Sequence, residues 1–250
     1  MPKLGTDSFS QTLTVGGTHF QFSGVRPERL GATEYTLATI VVDESSSVQY
    51  FADDLLDGLK VCLHACKDSP RADNLLLRVT SFNENLKELH GFKELNTILD
   101  SDYNNFHPNG WTALYDATMD GLVPTGKYAE MLVAKKLSCN ACVFVITDGM
   151  SNRGHVTSAR TIYEQILKLR MSETLESIEV VLIGINTENP DVQTWLNRYR
   201  EEAKLDSYVD IGKATPQLLA SMGRFISSSI MRTSTVLQTG KSQQPIGFNP

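Results

Sequence analysis

Apolar residues along this chain fall into short, nearly unbroken runs that alternate with stretches of helical spacing. Residues 35–42 (YTLATIVV) form a β-favouring run without polar alternation, the pattern of a strand buried on both faces. Residues 48–67 then place Phe51, Leu55, Leu59 and Leu63 one helical turn apart. The same alternation continues to residue 231. Strands are predicted at 74–82, 142–146, 179–185 and 208–211, with a short one at 86–92 that the pattern puts near a sheet edge. Helices are predicted at 112–136, 156–170, 190–204 and 216–231, the first interrupted near Pro124-Thr125-Gly126.

Alternation of this kind predicts an α/β fold: a doubly wound, mostly parallel sheet with helices on both faces. Residues 11–23 read differently. Two alternating runs flank Gly16-Gly17, a favoured two-residue turn, so a β-hairpin precedes the main unit. The predicted organisation is a hairpin and connector over 1–34, an α/β domain over 35–232, and a flexible tail over 233–250, where Ser, Thr, Gln, Gly and Pro dominate.

Composition narrows the function classes. With 250 residues, the chain is long enough for one large domain with a substantial core. A formal net charge of −6 offers no electrostatic footprint for a nucleic-acid backbone. No stretch approaches a membrane span, and the first thirty residues lack the basic-then-apolar pattern of an export signal. Four cysteines do not make a disulfide framework, which fits a reducing compartment. A cytoplasmic location is the expectation.

In open α/β sheets, ligands sit beyond the carboxyl ends of the strands, so the residues just after the apolar runs carry the chemistry. After the first buried run comes Asp43-Glu44-Ser45-Ser46-Ser47, and after 142–146 comes Thr147-Asp148-Gly149. Before the long helix, Asn109-Gly110-Trp111-Thr112 presents a hydroxyl at a helix start. Two carboxylates (Asp43, Asp148) and three hydroxyls (Ser45, Ser47, Thr112) form an all-oxygen donor set. Such a set suits a hard cation, Mg²⁺ first, with Mn²⁺ or Ca²⁺ as alternatives, and not zinc. Each residue also has an ordinary structural reading: serines and Thr112 as helix caps, Asp148-Gly149 as a turn.

Asp43, Ser45 and Ser47 match the D-x-S-x-S of the metal-ion-dependent adhesion site of von Willebrand factor A (vWA) domains, and Thr112 and Asp148 match its distant Thr and Asp. The resemblance covers roughly residues 35–230. The segment 109–117 (NGWTALYDA) further resembles the intracellular bacterial, TerY-like branch associated with tellurium resistance, whose members often have Gly where this chain has Trp111. The resemblance implies a non-enzymatic interaction module. In it Ser45, Ser47 and Thr112 contact the metal, Asp43 and Asp148 hold it mainly through water, and a partner's Glu or Asp completes the coordination. It also implies AAA+ ATPase or kinase and phosphatase systems as candidate partners, in stress response or defence.

Two other classes compete. A metal-dependent phosphohydrolase would use Asp43 as nucleophile, but Ser45 stands where its second acid is required. No phosphate loop of the Gly-rich Lys-Ser/Thr type and no G-x-G-x-x-G fingerprint is present. A scaffold role with a vestigial metal site would rest on the strand edges of the hairpin. Finally, Cys139-x-x-Cys142 with Cys62 and Cys66 could form a Cys₄ zinc site only if the two pairs meet.

Overall fold

The computed structural model describes residues 7–239 and 247–248. Eight strands form one sheet in the order β1-β2-β5-β4-β3-β6-β7-β8. The centre of the sheet is β3 (Glu34–Asp43), flanked by β4 (Leu75–Phe82) and β6 (Ser138–Thr147), both parallel to it. Beyond β6 lie β7 (Ile178–Gly184) and β8 (Ser207–Asp210), also parallel.

The unbroken apolar runs follow from burial on both faces. In β6, Ala141, Val143 and Val145 face one core while Cys142, Phe144 and Ile146 face the other. The second core is closed by α1 (Ala52–Lys67) and α5 (Pro216–Thr239), through Leu55, Leu59 and Leu63 and through Leu219, Met222 and Ile226. The first is closed by α2 (Leu114–Val133), α3 (Ala159–Met171) and α4 (Pro190–Ala203), through Leu122, Ile162, Ile166 and Leu196. The predicted α/β architecture is therefore the observed one.

The hairpin is present as β1 (Ser8–Val15) and β2 (Thr18–Val25), with Gly16 and Gly17 at φ 59° and 86° in the turn. It is not a separate appendage. Strand β2 joins the sheet beside β5 (Leu86–Glu94) through Gly24 and Phe92. This corrects the expected edge position of β5, which lies between β2 and β4. Apolar Phe20 and Phe22 on β2 are buried in the same core as α2, and that burial brings the hairpin in.

The expected break in α2 does not occur: Pro124 lies inside a continuous helix. A proline there leaves the carbonyl four residues earlier, on Asp120, without its helical donor. The Arg78 guanidinium replaces that donor: Nη1 donates to the Asp120 carbonyl (2.9 Å), and Nη2 donates to the Asp120 carboxylate (3.2 and 3.1 Å). Nε of the same arginine donates to Glu88 Oε2 (3.0 Å), so a fully buried cation sits between two carboxylates.

The predicted tail does not begin at residue 233, because α5 continues to Thr239. Tertiary hydrogen bonds outweigh composition there. Asn140 Nδ2 donates to the Thr233 carbonyl (2.5 Å), Arg71 Nε donates to Ser234 Oγ (3.1 Å), and Arg232 pairs with Glu179. Residues 240–246 and 249–250 of the predicted tail lie outside the described residues. The zinc alternative fails on geometry: Cys139 faces the α2 core, whereas Cys142, Cys62 and Cys66 face the α1 core.

Candidate metal centre

Parallel pairing of β3 with β6 brings the carboxyl ends of these two strands side by side, so Asp43 and Asp148 meet at one edge of the sheet. Asp43 is the last residue of β3 and is fully buried. Its Oδ1 accepts from the Ser45 backbone N–H (2.8 Å) and its Oδ2 accepts from the Thr147 hydroxyl (2.6 Å). Ser45 Oγ lies 3.1 Å from Ser47 Oγ, and the Ser47 hydroxyl donates to Asp148 Oδ1 (2.8 Å). Four of the five sequence-predicted residues thus form one hydrogen-bonded chain across two loops.

Thr112 enters through its backbone. Its carbonyl accepts from the N–H groups of Asn152 (2.9 Å) and Arg153 (3.2 Å), and its own N–H donates to Asn152 Oδ1 (2.9 Å). Those contacts tie the Thr112 loop to the segment after Asp148. The same loop is tied to the Asp43 loop: Asn109 N–H donates to the Glu44 carbonyl (2.9 Å), and Ser46 N–H donates to the Gly110 carbonyl (3.2 Å). Three loops distant in sequence are therefore stitched together at one sheet edge.

The helix-cap readings do not describe these hydroxyls. The α2 N-cap is Ala113, not Thr112, and Ser45 flanks the short 3-10 turn Ser46–Tyr50 without a side-chain cap hydrogen bond. The Thr112 side chain is buried, and its hydroxyl makes no hydrogen bond among the described residues.

Electrostatics point the same way. Burial, then the nearby Asp148 charge, pushes the Asp43 carboxyl up to about 7, against hydrogen bonds from Ser45 and Thr147 that favour ionisation. Burial also raises Asp148, against the hydrogen bond from Ser47. Two buried carboxyls whose ionisation burial disfavours, with serine hydroxyls between them, form a donor set that a hard cation fits. Among the described residues no group of three or more His, Cys, Asp or Glu is placed to hold a metal, so any ion held here relies on hydroxyl oxygens as well.

Sequence reasoning missed the residues that hold the loops. Glu44, inside the motif but buried and turned away, accepts from Lys87 Nζ (2.6 Å), the Ser81 hydroxyl and the His107 N–H. Asp116 on α2 accepts from the N–H groups of His155 (2.8 Å) and Val156 (2.6 Å). Only its place one helical turn after Thr112 marks Asp116 in the sequence. His107 and His155 act here through backbone N–H, and both residues are exposed. Trp111 is 55% exposed, and the Arg153 guanidinium lies over its ring, 5.2 Å from the centroid.

Solved structures with the same fold include a von Willebrand factor type A protein from Catenulispora acidiphila, with a TM-score of 0.51, 15% identity, and coverage of 91% of this chain and 46% of that one. BatB from Bacteroides thetaiotaomicron matches with a TM-score of 0.52 and 12% identity over 79% of this chain and 99% of BatB. The PilB minor pilin from Streptococcus sanguinis matches with a TM-score of 0.58 and 14% identity over 84% of this chain and 64% of the pilin. The chain thus spans less than two-thirds of the pilin's length. No family model and no curated protein matches the sequence. At these identities the likeness establishes a vWA-type fold and nothing finer.

Proposed function

We propose that this chain is a non-enzymatic interaction module that holds Mg²⁺ with Asp43, Ser45, Ser47, Thr112 and Asp148 and uses it to grip an acidic side chain of a protein partner. The observation that supports this reading is the stitching of the three loops, which sets the Thr112 loop beside the two carboxylates and two serine hydroxyls at the sheet edge where ligands of such folds sit. A bound divalent cation would supply an electrophilic position for an outside carboxylate. By analogy with the family it resembles, Ser45, Ser47 and Thr112 contact the ion while Asp43 and Asp148 hold it mainly through water.

The rim supports a protein as the visitor. Each of the three loops ends near an exposed large apolar side chain: Tyr50 (86%), Trp111 (55%) and Met150 (41%). Aromatic and methionine side chains are enriched where proteins dock. Among the described residues no helix is long and apolar enough to cross a membrane. The proposed setting is cytoplasmic, in a bacterial stress-response or defence assembly with AAA+ ATPase or kinase and phosphatase partners.

The test is affinity capture with the wild type and with Asp43→Ala and Thr112→Ala, each with and without chelator, alongside Mn²⁺ binding followed by electron paramagnetic resonance. Folded variants that lose both Mn²⁺ and chelator-sensitive partners are expected. Undiminished capture by both folded variants would overturn the reading.

A further inference from the structure

The loop that carries Asp148 continues past the donor set and brings onto the same face a cation that the proposed function leaves unused. Asn152 and Arg153 are clamped to Thr112 by the backbone hydrogen bonds described above. The Arg153 side chain turns back over Trp111, whose backbone N–H donates to Glu84 Oε2 (2.6 Å). A guanidinium held over an indole face keeps N–H donors for a ligand, and the contact reduces the freedom lost when they engage one.

Arg153 is exposed, and among the described residues it forms no ion pair with a carboxylate. The acidic groups of the neighbouring loops are otherwise engaged. Asp116 takes the His155 and Val156 N–H groups, Glu84 takes the Trp111 N–H, and Asp148 takes the Ser47 hydroxyl. The chain as a whole carries a formal charge of −6, so an acidic partner approaches against repulsion unless the docking face offers positive charge of its own.

We propose that Arg153, held over Trp111, is a second anion-binding point beside the candidate metal site, and that the partner segment carries two acidic side chains, one for the cation and one for Arg153. This rests on the metal reading above and extends it from one acidic contact to a two-point grip. Arg153 is then a specificity-determining residue: a segment with a single Glu or Asp binds, and a segment with two at the right spacing binds better. Trp111 is the platform that holds the guanidinium in place, which gives the bulky residue at this loop position a role.

Trp111 also supplies the assay. The chain has two tryptophans, and Trp195 is stacked with Tyr115 and Tyr199 against the core closed by α2 and α4. The full chain carrying Trp195→Phe therefore reports through Trp111 fluorescence. It is titrated, in Mg²⁺ and in chelator, with capped glycine-rich peptides that carry one glutamate or two glutamates at increasing separations. Two equivalent carboxylates alone give a statistical twofold gain. The expected result is Mg²⁺-dependent binding of the one-glutamate peptide and a further gain of about five- to tenfold for at least one two-glutamate spacing. In Arg153→Gln that gain falls to the statistical value while one-glutamate binding stays nearly unchanged. If the gain survives in Arg153→Gln, or no spacing exceeds twofold, the two-point grip is overturned and the metal reading stands. If no peptide binds in a Mg²⁺-dependent way, both fall together.

Discussion

Replacing one charge at the base of the metal centre separates the proposed cation site from an ordinary buried turn. Asp43 is fully buried, its carboxyl ordinarily titrates at 3.8, and here it is held up to about 7 by burial and by Asp148. A folded-state value above the unfolded one means that the native protein binds the extra proton between roughly pH 4 and 7. Stability contributed by this site therefore falls as pH rises through that window and is flat above it. A displacement of that size corresponds to on the order of 4 kcal/mol at neutral pH. Asp43→Asn removes the charge but keeps an acceptor for one of the two hydrogen bonds, so part of the gain is lost. In chelator at pH 8 the variant should be more stable than the wild type by about 2–4 kcal/mol, or roughly 5–15 °C in Tm for a chain of this size. At pH 5 the wild-type carboxyl is protonated and the gap should shrink.

Mg²⁺ should narrow that gap, and close it at the lower end of the range. An ion present at about a hundred times its Kd stabilises the wild type by ~2.7 kcal/mol, a rise of about 5–10 °C at pH 8, with a smaller rise at pH 5 where protons compete. Thermal unfolding followed by circular dichroism, for both proteins at both pH values with Mg²⁺ or chelator, measures all of this. Comparing the two proteins cancels the titrating groups that do not interact with Asp43, which leaves Asp43 and its neighbour Asp148. The reasoning is refuted if Mg²⁺ leaves the wild type unmoved at pH 8, if it raises Asp43→Asn equally, or if the gap between the proteins does not change with pH.

Three further outcomes are expected. Arg78→Met should destabilise the chain by about 3–5 kcal/mol in denaturant titrations, because it strands the buried Asp120 and Glu88 carboxylates and the carbonyl that Pro124 leaves open. A Tm within a degree of the wild type would contradict that account. His90 is buried with its value lowered to about 4, chiefly by desolvation, so its stabilising contribution is full above pH 6.5 and is lost as pH falls from there towards 4; His90→Gln should flatten that part of the stability profile. Gly110 has φ 77°, and a Cβ there would collide with the Glu84 carboxylate, so Gly110→Ala should cost about 1–3 kcal/mol and weaken Mn²⁺ binding by displacing Thr112; unchanged metal affinity would count against coupling of the loops.

Much of this protein was legible before any coordinates. Unbroken apolar runs such as that of β3 can only belong to strands covered on both sides, and that requirement selects the doubly wound sheet. The spacing of Asp43, Ser45 and Ser47 and their place after such a run pointed to the candidate centre, and the structure sets Asp43 beside the Asp148 loop because the carboxyl ends of parallel strands share one edge. The readings that failed were those in which local chemistry was outvoted by distant partners. Pro124 does not break α2 because Arg78, forty-six positions earlier, replaces the missing donor. Thr233 and Ser234 do not begin a tail because Asn140 and Arg71 hold them in a helix. Strand β5 is not an edge because the aromatic residues of β2 bury beside it. Local pattern reports which surface a residue wants to hide. Only tertiary structure decides which distant donor, acceptor or charge meets it there, because that depends on chain crossings with no local trace.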